Sequence, residues 1–193
     1  MVHVSLSRSA ALDVLTQVES GGFAEDELHK KLSTSNLSPK DRALTTELVY
    51  GVLRWKTRLD LLIDLHLENP RKKLKPLIRQ IFRIAVYQII LLSRIPHYAI
   101  VDDAVRQARR QFGSRIASFV NATLRAVPAS QHIHDRTPEK DAGSLATYYS
   151  HPQWLVERWL KDFGVEDTER TLLVNNRPAP LICRVNTLKT DMR

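Results

Sequence analysis

One cysteine, Cys183, stands in 193 residues, which excludes an internal disulfide and suits a reducing compartment. Six glycines are too few for a turn-rich β architecture and favour helices. Long apolar runs are missing as well. The greasiest stretch, Ile84 to Leu92, is too short to span a bilayer and is interrupted by Tyr87 and Gln88. Nothing at the N-terminus resembles a signal peptide, so a cytoplasmic protein with no membrane partner is expected. Acids are scarce where the cations are dense. From Arg71 to Arg125 there are twelve Arg and Lys but only Asp102 and Asp103, although the whole chain is only +8. Such a segment points to a polyanionic partner, nucleic acid first.

What is present reads as helix. Between Pro76 and Leu92 apolar residues lie on nearly every side, the mark of a central helix wrapped by others. Before it the spacing predicts helices over Ser7–Glu19, Ala24–Leu32, Pro39–Val52 and Lys56–Leu67, with Ser38 as a cap and Pro39 at the first position. After it come Ile100–Phe112, with Asp102 and Asp103 in its first turn, and Ser114–Val127, with Gly113 as the break and Ser114 as the cap. The expectation is an all-α bundle of about seven helices over 6–128. A polar, proline-containing linker follows over 129–149. The start of a second unit spans 150–193, with helices at Pro152–Phe163 and Asp167–Val174 and one strand near 180–187. A lone strand is not stable, so a sheet-containing region is expected to follow the chain's end.

Several groups are candidates for chemistry. Arg71, Lys72, Lys73, Lys75, Arg79 and Arg83 run through a loop onto the central helix, and Arg79 and Arg83 face together. Either they track phosphates, or they form a solvated face. Arg106, Arg109 and Arg110 share a face of the next helix, and Arg109 and Arg110 also suit a helix C-terminus. Trp154 and Trp159 either stack on unpaired bases or pack the second unit. The histidines are scattered; only His132 and His134 are close, with no partner at metal-ligand spacing, so no metal site is expected. No glycine-rich loop follows a strand, and no catalytic residue is assigned.

The segments ELVYGVLRW, LIRQIFRIAVYQIILL, IPHYAIVDDAVRQAR and FVNATLR resemble the NusB fold in order and spacing. This is the helical RNA-binding domain of an antitermination factor and of related ribosomal RNA methyltransferases. Ser150 to Trp159 and Arg184 to Lys189 are similar to the segment that joins this domain to the catalytic part of RsmB-type enzymes. Those enzymes methylate cytosine C5 in 16S ribosomal RNA with S-adenosylmethionine. The resemblance implies that this chain positions ribosomal RNA and that Arg8 touches RNA. It also implies that the methyl donor and both working cysteines belong to a domain this chain lacks, so the parent is an enzyme and this part by itself is not. The alternative is a NusB-like module docking a ribosomal or transcription protein.

Overall fold

The computed structural model describes residues 4–67, 74–92, 94–127, 138–179, 182–186 and 189. Nine helices occur among them. The first seven are α1 (Leu6–Glu19), α2 (Ala24–Thr34), α3 (Pro39–Arg54), α4 (Lys56–Leu65), α5 (Pro76–Leu91), α6 (His97–Phe112) and α7 (Ser114–Ala126). The last two are α8 (Ala142–Tyr149) and α9 (Gln153–Asn175).

The apolar pattern of α5 places it at the centre. Every residue from Gln80 to Gln88 is buried, and α1, α3, α4, α6 and α7 all pack against it. Phe82 is fully buried and meets Phe119 of α7 edge-on, with ring centroids 5.6 Å apart. Gly51 of α3 is where the Tyr87 ring crosses, and a Cβ there would overlap the ring. The Tyr87 hydroxyl donates to Glu47 at 2.5 Å. Burial first, then that hydrogen bond and the Glu47 charge, push the phenol well above its usual range.

Helix starts follow their chemistry with some shifts. Ser38 caps α3, its hydroxyl accepting from the Asp41 amide at 3.2 Å. Ser7 and Ser114 are not caps. They lie inside α1 and α7, whose cap positions are Ser5 and Gly113. Gly113 has φ 82°, a left-handed value that lets α6 end and α7 begin one residue later. α6 starts at His97 rather than Ile100, because Pro96 precedes it in extended geometry. Asp102 and Asp103 are therefore past the first turn. Asp103 is buried and accepts from the Ser5 amide and from Gln107, each at 2.7 Å, which ties the start of α1 to α6. Asp102 pairs with Arg106 at 2.5 Å.

The expected linker contains a helix. Asp141 caps α8 by accepting from the Gly143 and Ser144 amides, and Leu145, Ala146 and Tyr149 bury against Val156 and Leu172 of α9 in a second small core. α9 is broken at Gly164 (φ 75°, ψ −179°), so it is two helical segments, as expected. The second unit docks on α4. The Arg58 guanidinium lies 3.9 Å from the Tyr148 ring centroid, and its backbone amide donates to Ser150 Oγ at 2.8 Å. The strand expected near 180–187 is not borne out: among the described residues no strand occurs, and 182–186 have neither helix nor ladder. A segment forms a ladder only beside a partner edge, and no such edge occurs among the described residues.

Candidate nucleic-acid interface

The cations of the dense segment divide into two groups. One is held inside. Arg83 lies in the buried middle of α5 and turns between α1 and α4. Its Nε and Nη2 donate to the two oxygens of Asp60 at 2.8 and 2.7 Å, and its Nη1 donates to Glu19 at 3.1 Å. Arg79, one turn earlier, bonds Asp64 at 2.8 Å and lies 3.5 Å from Asp60. Lys56 and Gln80 complete the group at Glu19. Burial opposes ionisation of Arg83, but Asp60 and Glu19 outweigh it and raise its pKa. Burial likewise works against the Glu19 anion, yet Arg83 and Lys56 hold its carboxyl below the ordinary range. This is a bidentate, charge-assisted network joining three helices, not an exposed face. Arg8 is half-buried, with Nε donating to Gln88 at 2.7 Å, and it lines a cavity of about 10 Å³ with Asp103 and Gln107. That space has room for one water at most, and the buried Gln107 Oε1 faces it with no hydrogen-bond partner among the described residues.

The second group is free. Arg109 and Arg110 end α6, Arg115 opens α7, and Lys75 precedes α5; all four are exposed and make no ion pair among the described residues. Gly113 brings Arg115 back beside the end of α6, and the Lys75 ammonium sits 5.6 Å from the Phe112 ring centroid. The four cations thus gather at one end of the bundle. Arg109 and Arg110 complement the negative end of the α6 dipole, which alone could explain them. Lys75 and Arg115 lie at helix N-termini, where a cation opposes the dipole and costs stability. The dipole does not account for them, although the Phe112 ring gives Lys75 a cation–π contact. Arg115 was not singled out from the sequence; its position two residues after the break at Gly113 was the available signal. Arg106 is tied to Asp102. Arg71, Lys72, Lys73, His132 and His134 lie outside the described residues.

Trp159 is half-buried against the second core, its ring 6.0 Å from that of His151, whereas Trp154 is exposed. Cys183 is exposed. Among the described residues no group of three or more His, Cys, Asp or Glu could hold a metal, and no helix is long and apolar enough to cross a membrane.

An all-helical bundle wrapped on a buried α5 defines the class, and the sequence agrees. The NusB family model matches residues 5–128, and the chain belongs to the NusB family. The model of the ferredoxin-like domain of RsmF/B-like methyltransferases matches residues 151–193. More particularly, the chain is similar to the probable ribosomal RNA small subunit methyltransferase B of Bacillus subtilis. The two are 36% identical over 185 residues, which is 95% of this chain and 41% of that protein. The protein of the same description from Synechocystis is 32% identical over 169 residues, covering 88% of this chain and 38% of its own. The chain therefore spans about two fifths of the length of the curated relatives it matches. A chain solved under the name "Crystal Structure of a Plectonemic RNA Supercoil" superposes with a TM-score of 0.59 at 22% identity, over 67% of this chain and 96% of that one, and shares the fold.

Proposed function

We propose that this chain is the RNA-binding region of a ribosomal RNA cytosine-C5 methyltransferase acting on 16S RNA in the cytoplasm. Its similarity to the Bacillus subtilis and Synechocystis methyltransferases, over 95% and 88% of its length, supports the parent activity. The observation that carries RNA contact is the group Lys75, Arg109, Arg110 and Arg115, exposed and without ion pairs among the described residues, two of them placed against a helix dipole. Four cations converging on one end suit phosphate oxygens and carry no base preference. The parent enzyme would take its methyl group from S-adenosylmethionine. The described residues do not fit that cofactor. The adjacent glycines, Gly21 and Gly22, join two helices rather than a strand and a helix, and the cavity at Arg8 has room for one water. No chemical step is assigned to this chain. Its contribution is to hold and orient RNA, and Arg71, Lys72 and Lys73 extend the same phosphate contact.

Affinity for RNA should fall steeply with salt. Each phosphate neutralised on a single strand adds about 0.7 to the log–log slope. Replacing Arg109 and Arg110 with alanine should lower that slope by roughly 1.4 and weaken many RNA sequences alike. Replacing the exposed Lys30 and Lys40, on α2 and α3, should change it much less. Fluorescence anisotropy across a salt series reads both. Equal losses in the two pairs would mean diffuse charge only. No loss in either would favour docking of a ribosomal or transcription protein on this bundle.

A further inference from the structure

The buried tyrosines of this chain are anchored: Tyr87 donates to Glu47 and Tyr149 to Glu169. Tyr98 is different. It stands in the first turn of α6 with 76% of its surface exposed, and its hydroxyl makes no hydrogen bond among the described residues. Its surroundings are fixed. His97 Nε2 lies 3.3 Å from the Leu124 carbonyl, which pins the start of α6 to the end of α7. The residues next to that contact, Tyr98 and Arg125, emerge at the same end of the hairpin, and Arg94 enters it from the preceding turn. Arg94 and Arg125 are exposed and unpaired among the described residues, while the neighbouring acid, Asp102, is neutralised by Arg106. A protein-docking surface would need contiguous apolar area, whereas the segments that adjoin Tyr98 at this end carry the exposed cations Arg94 and Arg125.

Helical spacing links this end to the other. Tyr98, Asp102 and Arg109 lie at i, i+4 and i+11 on the solvent face of α6. Eleven residues span roughly 16 Å. A strand held by Arg109, Arg110 and Arg115 can therefore run along α6 and reach Tyr98. Resting on the RNA reading above, we infer that Tyr98, flanked by Arg94 and Arg125, is a stacking platform for one unpaired base of a single-stranded RNA whose neighbouring phosphates those arginines hold. A ring with an open π face accepts any base, so the platform selects strandedness rather than sequence.

The test uses the full chain with a mixed-sequence single-stranded oligoribonucleotide and the same strand annealed to its complement. Tyr98→Ala should weaken the single strand roughly 5- to 140-fold, the range of losses when one base loses its aromatic partner, and leave the duplex unchanged. Tyr98→Trp should keep the affinity and add a tryptophan emission that the single strand quenches. Unchanged single-strand affinity in Tyr98→Ala, or equal losses for single strand and duplex, overturns this inference alone. Failure of the unsubstituted chain to bind either RNA overturns the RNA reading and takes this inference with it.

Discussion

Replacing Phe82 with alanine is expected to cost about 3–5 kcal/mol of unfolding free energy. The side chain is fully buried at the midpoint of α5, and its ring meets Phe119 at 88° in an edge-to-face contact. Truncation removes the transfer energy of the ring, opens a cavity, and forfeits that pair, a contact worth about 0.5–1.5 kcal/mol beyond its area. Because five helices rest on α5, the lining cannot collapse by moving one neighbour. For a chain of this size the loss corresponds to a melting temperature lower by about 6–20 °C. Urea and thermal unfolding read it directly. A loss under 1 kcal/mol would mean that α5 is not the helix the bundle is built on. Phe82→Leu, which keeps most of the volume, should cost less.

The central helix was legible because burial on all sides leaves an unmistakable composition: from Ile84 to Leu92 only Tyr87 and Gln88 carry polar atoms. Those two are the exceptions the structure accommodates, Tyr87 through Glu47 and Gln88 through Arg8 and the Ile84 carbonyl. α8 was missed because eight residues with Gly143 inside carry little periodicity, and its stability comes from packing on α9 and α4. Asp141, spaced to receive the amides two and three residues on, was its one readable sign. The start of α6 was misplaced because His97, Tyr98 and Ala99 add no apolar face; only Pro96 announced the start. The terminal strand failed for a different reason. Alternation in PLICRVN states what the segment could do beside a partner edge, and no local pattern states whether that edge exists.

The free cations show the limit of charge counting. Charge density along the chain marked the segment but could not separate Arg79 and Arg83, which meet acids, from Arg109, Arg110 and Arg115, which meet none among the described residues. The pairing was nonetheless written in the sequence. Asp60 and Asp64 lie at i, i+4 on α4, the spacing of Arg79 and Arg83 on α5, so two ladders of opposite sign could interlock once the helices packed. A cation in a helix greasy on every side has nowhere to reach water, and a buried partner is the expected solution.

Arg83→Ala is therefore expected to behave as a stability variant and not as an RNA variant. Removing one member of a buried ion pair costs about 3–5 kcal/mol when the stranded charges are fully enclosed. Here the Asp60 and Glu19 side chains keep 28% and 36% of their surface, so water relieves part of the penalty and about 2–3 kcal/mol is expected. Arg83→Lys should recover some of this through charge while losing the two-pronged contact to Asp60. The pH dependence identifies the cause. Glu19 has a folded pKa below its ordinary value of 4.5, so its share of the stability is present above that value and is lost as pH falls through the folded pKa. The gap between wild type and Arg83→Ala should thus be full at pH 7 and narrow below about 4.5. At a temperature where both are folded, the salt slope for RNA should be the same in the two proteins. A variant of undiminished stability whose slope drops by about 0.7 would instead make Arg83 a phosphate ligand, and the network between α1, α4 and α5 would need another account.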